Sequence, residues 1–241
     1  NVGIYNQANK WTSMGANLIQ STVLEVAQPV LRNVADDRER HKRVFRKMLR
    51  FTAFIAFPAL FGLAFISREL ILITVTDKWI ESVPLMQILC VCAFAAPIQA
   101  LCMNLVISKE RSDLILWNTL AFGTVQLSAV FFTYPYGIHT MVCAFATINI
   151  LWLFVWFFFV HREIGLRLSE ALLDTTPYAA TATCAILATS FILSGLENIY
   201  LLFGLKIVLT ALFYTLLMWA CGSATFKECI GFLSRKNKHK S

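Results

Sequence analysis

Ser13, Asn17, Gln20, Ser21, Glu25, Gln28 and Arg32 recur every three to four residues. At 3.6 residues per turn they fall on one side of a helix, with Met14, Ile19, Val23, Val26 and Val30 opposite. Amides, hydroxyls, one carboxylate and one guanidinium on a shared face can hydrogen-bond a polar ligand or hold a proton or cation. They do not make a nucleophile-and-base pair. A helix of this kind either lines a water-filled cavity or lies in a membrane interface. Interfacial helices usually carry Lys/Arg on the polar side, and amides dominate here, so cavity lining is the expectation. Glu25 is the sharpest residue, because a charge at membrane depth costs a few kcal/mol or more unless it meets a cavity or a partner. It can serve as a proton or cation site, as a contact to a polar substrate, or as a protonated inter-helix donor. Arg32 lies two turns away, beyond the i,i+4 spacing that would pair the two simply.

Further polar residues inside apolar stretches are Gln87, Gln99, Asn104, Asn118, Gln126, Asn149 and Lys206. Gln99 and Asn104 follow Pro97, where a bend can turn backbone carbonyls toward a cavity. The rest read as inter-helix hydrogen bonds, and Lys206 as a side chain reaching to the interface. The candidate cavity residues are thus Asn17, Gln20, Glu25, Gln28, Arg32, Gln99 and Asn104.

The elements that position them are apolar. The 241 residues are 58% hydrophobic and 15% charged, with a mean hydropathy of +0.65. Soluble domains are about 45–50% apolar and about 25% charged. A spanning helix needs about 20 mostly apolar residues, and seven stretches approach this: 12–34, 51–74, 83–107, 114–132, 140–160, 177–193 and 199–220. The fold class is therefore all-α, a polytopic membrane helix bundle.

Basic residues fall on alternate connections. Seven Lys/Arg lie between Asp36 and Arg50, Lys109 and Arg111 follow the third stretch, and Arg162 and Arg167 follow the fifth. Lys227, Arg235, Lys236, Lys238 and Lys240 lie in the tail. The intervening connections are poor in bases. This positive-inside pattern predicts an outer N-terminus and a cytoplasmic C-terminus. It divides the chain into a bundle, 1–222, and a basic cytoplasmic tail, 223–241. The net charge of +7 thus points to anionic lipid headgroups and away from nucleic acid. Trp152, Trp156, Phe157, Phe158 and Phe159 crowd the cytoplasmic end of the fifth stretch and read as an aromatic belt facing lipid.

Catalytic and metal signatures are missing from the sequence. Cys90, Cys92, Cys102, Cys143, Cys184, Cys221 and Cys229 lack zinc spacing and read as packing residues. His41, His139, His161 and His239 are placed in loops or tail, and no phosphate loop or serine elbow is present. No cofactor is expected.

Five strings in order carry a family resemblance: Gly3-Ile4-Tyr5-Asn6-Gln7-Ala8; Gln28-Pro29-Val30-Leu31-Arg32-Asn33 with Asp36-Asp37 and the basic run; Phe57-Pro58-Ala59-Leu60-Phe61-Gly62-Leu63; Lys78-Trp79-Ile80-Glu81-Ser82-Val83-Pro84-Leu85; and Ser108-Lys109-Glu110-Arg111-Ser112-Asp113-Leu114. Together they resemble the Wzx-like polysaccharide transporters, lipid-linked oligosaccharide flippases of the multidrug/oligosaccharidyl-lipid/polysaccharide exporter superfamily. Asn33, Thr76-Asp77 and Glu110 depart from the family's usual residues in the turns.

The resemblance implies a bacterial inner-membrane protein with two lobes of helices about a central cavity, working by alternating access. This chain would be the second lobe, a C-terminal fragment whose N-terminal lobe is its partner. The polar stripe would meet the pyrophosphate or sugars of an undecaprenyl-linked oligosaccharide. A drug or cation exporter of the same superfamily would share the fold. A membrane enzyme acting on lipid-linked sugars would usually need a larger, more charged outer loop.

Overall fold

The computed structural model describes residues 2–196 and 198–220. The expected tail, 223–241, lies outside them, as do Cys221, Cys229 and His239. The described residues form α1 (Val2–Arg32), α2 (Arg38–Phe65), α3 (Ser67–Thr74), α4 (Ser82–Ala93), α5 (Ala95–Ser108), α6 (Ser112–Thr133), α7 (Ile138–Ile164), α8 (Leu168–Ile192) and α9 (Ile199–Ala220). Short 3-10 turns occupy Asp77–Trp79 and Tyr134–Tyr136. The fold is an all-α membrane helix bundle. Among the described residues, five segments are long and apolar enough to cross a membrane: Arg38–Phe65, Ser82–Ser108, Ser112–Tyr136, Ile138–Ile164 and Ile199–Ala220. α1 and α8, at 31 and 25 residues, have the length but are more polar.

The basic run is helical and not a loop. Asp37 caps α2 by accepting the Arg40 N–H at 3.0 Å, and Glu39 in the first turn suits the helix dipole. α2 therefore begins at Arg38, well before the expected 51, and a break at Ile66 separates it from α3. α7 stops at Gly165, whose φ of +68° is a left-handed C-cap.

Pro58 lies inside α2 and has no N–H for the carbonyl of Phe54, one turn back. Tyr214 of α9 donates its hydroxyl to that carbonyl at 2.9 Å. A backbone group that lipid could not hydrate is thereby satisfied by a neighbouring helix.

Lipid is as apolar as leucine, so the helices associate through close packing. α1 buries Ala8, Thr12, Ala16, Ile19, Val23, Ala27 and Leu31. A methyl at Gly15 would stand 3.1 Å from Leu63 of α2, so the two helices approach closely there. Of the expected apolar face, Ile19 and Val23 are buried and Val30 is half-buried, whereas Met14 and Val26 are 51% and 45% exposed. α1, α2, α5 and α7 share one core, the first half of α1 with α3 and α4 a second, and α2, α8 and α9 a third.

The aromatic belt also needs correction. Trp156 and Phe157 are buried in the core, and Trp152 donates its indole N–H to Asn118 of α6 at 3.1 Å. Phe158 alone of the five is largely exposed, at 64%.

The basic connections gather at one end of the bundle. Lys109 donates to the Ala35 carbonyl, Arg111 Nη1 is 3.9 Å from Glu163 of α7, and Arg38 lies against Gly165. Lys42 pairs with Glu170 at 2.9 Å, and Arg46 and Arg50 reach Asp174 at 2.6 and 3.5 Å. These pairs tie α8 to the first turns of α2.

Candidate functional site: the polar face of α1

The packed face of α1 leaves the polar stripe on its other side. The stripe begins earlier than the sequence spans suggest, because α1 starts at Val2. Asn9 thus precedes Ser13 and Asn17 at i,i+4 steps. It was missed because it lies before the first apolar stretch, although the spacing itself continues through it.

Asn9, Thr12, Ser13, Asn17 and Gln20 line a cleft of about 210 Å³ closed on the far side by Ala93, Ala96 and Asn149. Small residues and a helix break shape it. α4 ends at Ala93 and α5 starts at Ala95, while Pro97 has no N–H to return to the Ala93 carbonyl. The bend expected near Pro97 therefore falls on the cleft wall. Gln99 donates its amide to the Asn149 carbonyl at 2.8 Å and fixes α5 to α7 behind that wall.

Within the cleft, Thr12 and Ser13 turn their hydroxyls back to Ala8 and Asn9 carbonyls at 3.0 and 2.6 Å. Asn149 donates to Phe145 of its own helix at 2.9 Å. The side-chain amides of Asn17 and Gln20 make no hydrogen bond with the described residues. Each offers two N–H donors and a carbonyl acceptor, the inventory suited to hydroxyl-rich or amide-bearing ligands.

The rest of the stripe separates from this cleft. Glu25 and Gln28 are exposed on the outward face, and Glu25 has no ion pair within the described residues. Arg32 lies beyond them at the basic end, lining an open hollow of about 830 Å³ with Ala35, Asp36, Ser108, Lys109 and Glu110. His41, placed in a loop by the sequence, is buried in α2 beside it, with Nε2 3.4 Å from Ser108 Oγ. Asn104 does not join either hollow. It is buried and donates to the Ala100 carbonyl of its own helix at 2.8 Å.

Lys206, expected to reach the interface, has a partner that the sequence did not show. It pairs with Glu69 of α3 at 2.9 Å, and both side chains are nearly buried. Glu69 carried no sequence signal, since it sits at the edge of an apolar stretch and its partner lies 137 residues away.

Residues 1–84 match the family model described as polysaccharide biosynthesis protein. The resemblance to the Wzx-like polysaccharide transporters holds. The chain is 28% identical over 112 residues to the lipopolysaccharide biosynthesis protein WzxC of Escherichia coli K12, covering 46% of this chain and 23% of that protein. It is 24% identical over 198 residues to the teichuronic acid biosynthesis protein TuaB of Bacillus subtilis 168, covering 80% and 40%. A membrane protein of the Klebsiella pneumoniae cps region is 29% identical over 113 residues, covering 47% and 23%. In structure, the chain matches the inward closed conformation of the lipid II flippase MurJ with a TM-score of 0.72 at 14% identity, over 95% of this chain and 48% of that one. That likeness establishes the fold as the helix bundle found in half of such a protein. The chain spans less than half the length of each of these proteins.

Proposed function

We propose that this chain is the second lobe of a transporter that flips a lipid-linked oligosaccharide across the bacterial inner membrane by alternating access. The observation that carries the reading is the polar face of α1. Asn17, Glu25, Gln28 and Arg32 are exposed and Gln20 is half-buried at the cleft, while the opposite face is packed. Lipid would penalise such a face by several kcal/mol, so a water-filled cavity shared with a second lobe is its natural environment. The names and greater lengths of the relatives support the same reading.

In this arrangement the free amides of Asn17 and Gln20 bind sugar hydroxyls. Arg32 attracts the pyrophosphate at the basic end, and Glu25 lies between them. The basic end faces the cytoplasm, where it also meets anionic headgroups. Residues 1–222 are the bundle and 223–241 the cytoplasmic tail. The lobes rock about the substrate, as in other two-lobe transporters.

The test is replacement of Glu25→Gln, and of Asn17 and Gln20 by Leu, in the full-length protein in a strain lacking its own copy. Surface polysaccharide should fall and lipid-linked oligosaccharide should accumulate, with the protein still present in the membrane. Normal surface polysaccharide in all three variants would remove the cavity assignment.

A further inference from the structure

Glu69 and Lys206 meet at the end of the bundle opposite the basic connections. Glu69 Oε1 is 2.9 Å from Lys206 Nζ, and the side chains are 5% and 14% exposed. Lys206 has two further supports, the Phe65 carbonyl at 3.4 Å and the Phe65 ring, whose centroid is 4.3 Å away. Glu69 is less well provided. Its Oε2 is buried and has no hydrogen-bond partner.

The surroundings leave these two charges to each other. Arg68, Asp77, Lys78 and Glu81, on α3 and the turn after it, are all exposed. α4, which packs on α3, carries no charged residue. The Asp, Glu, Lys and Arg residues of α2 and α8 lie in their first turns, at the other end. α9 contributes Lys206 as its one charge. Lys206 also lines an apolar cleft of about 410 Å³ between α2 and α9, with Pro58, Gly62, Thr210 and Tyr214.

As a static fastener this pair is poor chemistry. Desolvating two charges costs about as much as their attraction returns, and an apolar contact would hold equally well. A carboxylate with one bare oxygen has instead a vacant position for a proton. Proton uptake there neutralises Glu69 and ends its attraction for the ammonium, while the Phe65 carbonyl and ring continue to hold Lys206. The pair also bridges a structural joint, since α3 starts directly after the break at Ile66.

We propose that Glu69 and Lys206 form a proton-exchange site that fastens α9 to α3 when ionised and releases it when Glu69 takes up a proton. The site goes beyond the flippase reading and its test does not depend on transport.

The test is an infrared titration of the full-length protein in lipid, from neutral to acid pH. A protonated-carboxyl band should appear on acidification in the wild type and be missing in Glu69→Gln. Lys206→Met removes the cation, so the band should reach half its height at a proton concentration about tenfold lower or less. Lys206→Arg should keep the wild-type midpoint. An unchanged difference spectrum in Glu69→Gln, or an unmoved midpoint in Lys206→Met, overturns the site. If Glu69→Gln does not fold, the Met and Arg variants at 206 decide between them. Fluorophores on the exposed positions 68 and 200 should separate on acidification in the wild type. A separation independent of pH overturns the release.

Discussion

The hydroxyl of Tyr214 donates at 2.9 Å to the Phe54 carbonyl, the acceptor that Pro58 leaves without its helical partner. One residue breaks a hydrogen bond within α2, and a residue 160 positions from Phe54 replaces it from α9. Tyr214→Phe should therefore destabilise the bundle by about 1–2 kcal/mol. In a Pro58→Ala background the restored N–H takes the carbonyl, and the same change should cost close to nothing. A thermal-unfolding double-mutant cycle in detergent measures this coupling, and additive effects would exclude it.

Asp174 holds α8 to α2 through asymmetric partners. Arg46 grips it with Nε on Oδ2 at 2.6 Å and Nη2 on Oδ1 at 3.1 Å. The carboxylate is 8% exposed and the Arg46 and Arg50 side chains 31% and 36%. Removing both arginines strips a buried charge of its guanidinium partners and should cost about 3–5 kcal/mol. Asp174→Ala leaves two arginines that water can reach and should cost about 1 kcal/mol or less. Equal losses in the two proteins would show that burial of the carboxylate is not what matters.

The pairing of Glu170 with α2 should be insensitive to pH across the neutral range. The Arg167 N–H at 2.9 Å, and then Lys42, hold its carboxyl below the usual carboxylate range. A folded-state value below the unfolded one gives a contribution that is complete above the ordinary carboxylate range. It is lost as pH falls through the lowered value. The stability difference between the wild type and Glu170→Gln should thus be constant from pH 8 down to about 5 and shrink below about 4. A difference that persists unchanged in acid would contradict the pairing.

Trp156 and Phe158 are two residues apart and should respond unequally to truncation. Trp156 packs in the core at 6% exposure, whereas Phe158 is 64% exposed. In lipid the cavity is the main loss, so Trp156→Ala should cost about 2 kcal/mol or more and Phe158→Ala close to zero. Resistance to unfolding in bicelles separates them, and a greater loss at Phe158 would restore the belt reading for this segment.

Composition and local pattern settled the class of this protein. Apolar stretches long enough to span, basic residues on alternate connections, and polar residues at helical spacing from Ser13 to Arg32 are all written locally. Each follows from what lipid does to a charge or a peptide group, wherever the rest of the chain goes. Tertiary structure decided which faces pack and which charges meet. Polarity could not rank the faces of α1, because lipid accepts Met14 and Val26 as readily as a core does. Small Ala8, Thr12 and Ala16 went inside, where helices approach closely. Asn104 and Trp156 also lie in the packing. Arg46 with Asp174 and Lys206 with Glu69 join positions 128 and 137 residues apart. Only the folded bundle brings such charges together, because desolvated charges must find a partner in three dimensions that no local spacing records.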